Sequence, residues 1–157
     1  MQLNREWIER HIPHAGKMCL LDEVVEWDAD QIQCRSSTHR NADNPLRANG
    51  SLGAACGIEY AAQAMAVHGV LVSQTGIAGQ SYGPATGAPA AAHPRVGYIA
   101  SVRGVTLFVS RLDDVQADLI ARATRVNSDP STALYEFSLS GANRPLLSGR
   151  VTIVFPT

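Results

Sequence analysis

The sequence predicts an α+β domain in which a curved antiparallel sheet of about six strands wraps around one long central helix. Three observations predict it. Residues 52–72 (LGAACGIEYAAQAMAVHGVLV) form a single apolar run, too long for a strand and rich in alanine. That run is apolar nearly all round, so a helix built from it has to be covered on most sides. The last third of the chain alternates in the manner of strands over four successive stretches, and two more such stretches precede the run.

The elements follow in order. Residues 3–10 (LNREWIER) make a short amphipathic helix with Leu3, Trp7 and Ile8 facing inward, ended by Pro13. Residues 18–27 and 31–38 read as two strands joined by the turn-like Asp28-Ala29-Asp30, and a polar loop (HRNADNPLRANG) comes next. The central helix is expected to start near Ser51, a residue type that caps helices, and to run to about Ser73. Residues 76–94 (GIAGQSYGPATGAPAAAHP) are free of charge and rich in Gly, Ala and Pro, a long loop that is either a lid or simply mobile. Residues 96–109, 115–126, 133–140 and 146–155 then supply four strands, with turn chemistry at 127–132 and 141–145. No repeat and no second domain is visible, so residues 1–157 are read as one domain.

Composition excludes several classes of function. Thirteen Lys and Arg balance fourteen Asp and Glu, which leaves no electrostatic footprint for nucleic acid. Three cysteines, none in CxxC spacing, argue against a disulfide scaffold and fit a reducing cytoplasm. The first residues have no apolar core of a signal peptide. The 52–72 run has the length of a membrane span, yet it carries Glu59, Gln63 and His68 and has no closely flanking Lys or Arg cluster. A cytoplasmic protein that does not enter a membrane is expected.

Glu59 is the only formally charged residue between Arg47 and Arg95. A carboxylate in an apolar helix is costly unless it is paired or neutralised. Either it pairs with an arginine from elsewhere, such as Arg103 or Arg122, or it does chemistry as a proton donor. Gln63 lies one helical turn beyond it on the same face, whereas His68 falls on the opposite side. The helix N-terminus around residues 53–56 offers backbone N–H groups to a developing oxyanion. His14, set between Pro13 and Ala15-Gly16, is an aimed imidazole suited to general-base work, or an incidental loop histidine. His11 and His14 are three apart, but Pro13 intervenes and no third ligand is evident, which disfavours a metal site.

Together these segments resemble the β-hydroxyacyl-acyl-carrier-protein dehydratases of the hot-dog fold. That family carries a Pro-His dipeptide ahead of an apolar strand ending in Asp, here PHAGKMCLLD from Pro13 to Asp22. Its helix motif Ile-Glu-x-x-Ala-Gln-Ala stands here as Ile58-Glu59-Tyr60-Ala61-Ala62-Gln63-Ala64, and residues 97–102 (GYIASV) are similar to its following strand. Two departures stand out: Asn44-Pro45-Leu46-Arg47 replaces the usual Gly-His-Phe-Pro, and Gly53-Ala54 replaces the Pro-Gly that opens the family's helix. The divergence is closest to the subgroup associated with aryl-polyene pigment clusters.

The resemblance implies removal of water from a 3-hydroxyacyl thioester on acyl carrier protein, within fatty-acid or polyketide-like biosynthesis. His14 would take the C2 proton, Glu59 would protonate the leaving hydroxyl, and Gln63 would orient Glu59. A backbone N–H of Ala54 or Ala55 would polarise the thioester carbonyl. No metal or organic cofactor is implied. The resemblance also implies a homodimer whose sites combine His and Glu from different subunits. Arg47, Arg95 and Arg103 are candidates to meet an acidic carrier protein, or are ordinary surface arginines. The rivals are an acyl thioesterase of the same fold, which needs no Pro-His pair, and a non-catalytic acyl-binding or partner subunit.

Overall fold

A computed structural model describes residues 2–75 and 97–156. Helix α1 (Arg5–His11) leads through a single 3-10 turn (Gly16–Met18) to strands β1 (Glu23–Trp27) and β2 (Gln31–Ser36). Helix α2 (Gly57–Thr75) follows, entered through a 3-10 turn at Ala54–Cys56, and the chain ends in β3 (Tyr98–Leu107), β4 (Leu119–Ser128), β5 (Thr132–Gly141) and β6 (Arg144–Val154). The six strands form one sheet in the order β1-β2-β4-β5-β6-β3, every neighbouring pair antiparallel. The expected architecture of one sheet on one long helix is what the chain adopts. The loop expected at 76–94 lies outside the described residues.

Alternation along the strands aims one face at α2. In β5, Ala133, Tyr135, Phe137, Leu139 and Gly141 are buried while their neighbours are more open, and β4 buries Leu119, Ala121 and Ala123. The β5–β6 turn puts Ala142 and Asn143 at φ +53° and +61°, the backbone a tight primed hairpin turn requires. Against this face α2 buries Tyr60, Ala61, Gln63, Ala64, Met65, Val67, His68, Val70, Leu71 and Val72. Gly57 lets the helix come close, since a Cβ there would stand 2.6 Å from Leu147 Cδ2. By length and composition residues 54–75 could cross a membrane, yet 61% of the qualifying window is buried inside the fold.

Two boundaries differ from expectation, each for a non-local reason. Ser51 does not cap α2; it makes a bridge with Ala48, and the helix entry is fixed two residues later. There Leu112 N–H donates to Leu52 O (2.8 Å), Ala54 N–H donates to Ser110 O (3.1 Å), and Asp113 Oδ1 accepts from Leu52 N–H (2.8 Å). The Arg111 guanidinium and that amide hold the Asp113 carboxyl well below the usual carboxylate range. Residues 18–22, in turn, belong to no strand. Their backbone groups bond mainly to side chains, Arg5, Gln63, Ser36 and Thr38, in place of a neighbouring strand.

His68 is fully buried at the far end of α2. Its Nε2 lies 2.8 Å from the Asp28 carbonyl, so Nε2–H must donate there, and Nδ1 accepts from the Tyr135 hydroxyl at 2.7 Å. This pins the helix to the β1–β2 turn and to β5. Burial lowers the basicity of His68, and Arg125 works in the same direction against the opposing pull of Asp28 and Asp30. His39, also fully buried, is lowered by the same cause.

Below the ordinary histidine value of ~6.5 the unfolded chain binds protons that the folded chain refuses. Stability is therefore fully present above that pH and falls as pH drops, by at most about 1.4 kcal/mol per pH unit for each such group. Urea unfolding midpoints are expected to decline from pH 7.5 to pH 5. In His68→Gln that decline should be shallower; an unchanged pH dependence would rule His68 out as a source.

Candidate active site

The segment that carries His14 owes its shape to Pro13 and Gly16. Pro13 ends the α1 region, and Gly16 turns the chain at φ +62°, a conformation that a side chain would strain. His14 Nε2 then lies 3.3 Å from Glu59 Oε1, with the two side chains 29% and 32% exposed. The partner of Glu59 is thus this histidine rather than Arg103 or Arg122, the latter donating to Gln33 Oε1. His14 Nδ1 is buried and has no hydrogen-bond partner among the described residues. His11 stands apart from this pairing, stacked on Trp7 at 4.0 Å with its Nδ1 2.7 Å from Trp7 O.

Gln63, 1% exposed, is the third member of the group. Its Nε2 donates to Met18 O (2.8 Å) and to Glu59 Oε1 (3.3 Å), while its Oε1 accepts from Leu20 N–H (2.9 Å). One amide therefore joins the carboxylate to the segment bearing the imidazole. The structure brings together His14, Glu59 and Gln63 as the sequence pairs them. It differs on their origin: the resemblance implies His and Glu from different subunits, and here both come from one chain. It also differs on the surroundings, because a third of the Glu59 side chain remains exposed rather than sealed in apolar contacts.

The two candidate oxyanion donors separate. Ala54 N–H is occupied by Ser110 O, which removes it from that role. Ala55 is exposed and its N–H makes no hydrogen bond among the described residues, so it is the donor left at the helix entry. The alanines and the nearby Gly57 lie in the first turns of the helix that bears Glu59, where backbone N–H groups point outward.

Several contributors were not anticipated from the sequence. Asn44, within the stretch that departs from the family pattern, is buried; its Nδ2 donates to Thr38 O and to Tyr60 Oη, both at 3.0 Å, and its Oδ1 accepts from Leu46 N–H. Tyr60 follows Glu59 on α2, so the 44–47 loop is fastened to the helix beside the site, with Thr38 Oγ1 2.9 Å from the same hydroxyl. Asp22, the last residue of the PHAGKMCLLD segment, accepts from Ser37 N–H (2.6 Å) and Ser37 Oγ–H (2.8 Å), which makes it an anchor for the end of β2. Arg5 Nη2 donates to Gly16 O (3.1 Å) and Cys19 O (2.5 Å). An arginine 11 and 14 residues from the carbonyls it serves leaves no periodic signal by which sequence could reveal it.

A six-stranded antiparallel sheet around a long helix, with an imidazole and a carboxylate meeting at the helix's first turns, defines a hot-dog fold protein. A family model described as ApeP dehydratase matches residues 6–157. The chain belongs to this ApeP-like dehydratase family. The dehydratase heterocomplex ApeI:P from Xenorhabdus doucetiae superposes with a TM-score of 0.70 at 21% identity, over 96% of this chain and 91% of that one. A mutant thioesterase from Pseudomonas aeruginosa gives 0.55 at 15% identity over 86% and 81%. A hypothetical thioesterase with coenzyme A from Streptococcus pneumoniae gives 0.56 at 9% identity over 85% and 84%. At these identities the solved structures speak to fold alone. No curated protein matches the chain.

Replacing Gln63 by Leu keeps the volume and strands the buried Leu20 N–H and the part-buried Met18 O. Each group left unsatisfied costs about 1–3 kcal/mol, so the variant is expected to lose roughly 2–5 kcal/mol by urea unfolding. A loss below about 0.5 kcal/mol would mean that water or a neighbour takes over both bonds.

Proposed function

We propose that the protein removes water from a 3-hydroxyacyl thioester carried on acyl carrier protein, giving the trans-2-enoyl thioester. The observation that carries this reading is the 3.3 Å approach of His14 Nε2 to Glu59 Oε1, set by Gln63, in a member of a dehydratase family. The thioester carbonyl acidifies the C2 proton, so the reaction needs a base at C2, an acid at C3 and a donor at the carbonyl. His14 takes the C2 proton through Nε2. The electron pair of that C–H bond becomes the C2–C3 double bond as the C3–O bond breaks. Glu59, protonated, delivers its proton to the departing hydroxyl, which leaves as water. Ala55 N–H is the backbone donor available to the thioester oxygen. Neighbouring acid and base suit a substrate whose reacting C–H and C–OH are on adjacent carbons. No cofactor enters the scheme.

A second hot-dog chain is part of the proposal. Strand β3 pairs only with β6, its other edge is unpaired among the described residues, and Tyr98, Ile99, Val105 and Leu107 along it are 39–60% exposed. A bare, apolar edge of this kind favours pairing with another strand. A homodimer is the first form of it. The heterocomplex of the Xenorhabdus relative supports a second form, in which this chain pairs with a different dehydratase-like chain and acts as its partner subunit. A cytoplasmic location goes with a carrier-protein substrate and with cysteines that are all free thiols.

Incubation with 3-hydroxyacyl carrier protein is expected to give the enoyl product, seen as loss of one water by mass spectrometry. His14→Ala and Glu59→Gln should each lower turnover by about 10²-fold or more. Release of free acid instead of enoyl product would identify a thioesterase. Turnover only after addition of a second hot-dog chain would identify the partner-subunit form.

A further inference from the structure

We infer that Arg5 is a positioning residue for the acid–base pair, holding the His14 segment at its working distance from Glu59. The inference rests on the dehydratase reading of His14 and Glu59. The geometry is a two-sided clasp on residues 16–21. From the helix side, Gln63 takes Met18 O and Leu20 N–H. From the opposite side, Arg5 takes Gly16 O and Cys19 O through Nη2, and Nη1 reaches Leu21 O at 3.5 Å and Asp22 Oδ1 at 3.5 Å. Residues 18 and 20 therefore face the helix, and 19 and 21 face the guanidinium, the alternation of an extended chain. No strand ladder is present to do this work, because β1 starts only at Glu23.

The anchor behind Arg5 is firm. It is the first residue of α1, whose N-terminus is capped by the Asn4 side chain accepting from Trp7 N–H and whose Trp7 and Ile8 are buried. Leu3 O accepts from Val24 N–H (2.9 Å), which fixes the start of α1 to β1. Arg5 Nε is also held by Glu9 Oε1 at 3.2 Å. A planar guanidinium with five N–H donors can serve several carbonyls in fixed directions, and a single ammonium cannot reproduce that set. Gly16 and His14 are two residues apart, and without Arg5 the Gly16 carbonyl keeps only its local bond from Cys19 N–H (3.1 Å), which loosens the imidazole's hold beside the carboxylate. Reacting groups displaced by about 1 Å lose rate steeply while substrate binding is little changed.

The test uses the full chain with Arg5→Met and Arg5→Lys. In Arg5→Met, kcat should fall about tenfold or more with KM held within roughly twofold. Arg5→Lys, which keeps the charge and should keep the melting temperature, is expected to lose much of kcat as well; it carries the test if Arg5→Met does not fold. In a His14→Ala background either change should lower residual turnover no further, since no imidazole is left to position. Amide exchange of the peptide spanning residues 14–21 should quicken in both variants while the α2 peptides stay as they were. An unchanged kcat, a loss confined to KM, an equal loss in the His14→Ala background, or unaltered exchange at 14–21 overturns the inference. Exchange is read without substrate. If the wild-type protein shows no dehydration, the functional reading fails and the exchange result alone decides what Arg5 holds.

Discussion

The candidate site depends on one buried amide. Gln63 carries a hydrogen-bonding group into the buried seam between α2 and residues 18–20, where an unpaired donor or acceptor would be costly, so its bonds must be made. They are made to the backbone of Met18 and Leu20, which cannot come to α2 without bringing His14 into reach of Glu59. The same amide then spends a remaining donor contact on Glu59. Local chemistry and the global packing of the segment are thus settled by a single side chain. That is why a glutamine, poor in hydrophobic value, sits where a leucine would pack as well.

Around this contact, polar groups are tied in relays rather than left to solvent. Leu20 O accepts from Ser36 Oγ–H and Thr38 Oγ1–H, Thr38 meets Tyr60, and Tyr60 accepts from Asn44. Burial pushes the Tyr60 hydroxyl above its ordinary range, so it stays neutral and can act as donor and acceptor in this chain of bonds. The stretch that departs from the family pattern, residues 44–47, is therefore integrated into the wall of the site through Asn44. The fastening point of this loop is Tyr60, the residue next to Glu59.

The fold was legible because its main signals are local. A 21-residue, alanine-rich apolar run without proline reads as a covered helix, and alternation over four late stretches reads as a sheet with one wet face. His14, Glu59 and Gln63 were legible from two motifs and from helical spacing. What was not legible depends on contacts between distant residues. Residues 18–21 look like a strand, but Arg5, Gln63, Ser36 and Thr38 replace the ladder, which begins only with the bond from Asp22 N–H to Arg35 O. Ser51 looks like a cap, but Leu112, Ser110 and Asp113 set the helix entry at Gly53 and take the N–H of Ala54. The apolar run also suggested a dry carboxylate. A helix periodicity shows which residues share a face with Glu59, and it does not show whether the chain covers that face.

That uncovered face bears on how the pair can work. Glu59 and His14 keep about a third of their side-chain surface open, and along the same side of α2 Ala62 and Ala66 are only half-buried and Gly69 is exposed. Water over an acid–base pair screens the charges that develop on it, severalfold relative to a protein interior. A proton-transfer site of this kind gains strength when something lies over it and excludes that water. The fold itself supplies a rigid arrangement of imidazole, carboxylate and amide, and it leaves the covering of the site to what docks there. On the proposed reading, the acyl chain of the substrate is the first body that would lie over it. The order of events is fixed by the physics: geometry is set by Gln63 before binding, and the dielectric is set by binding.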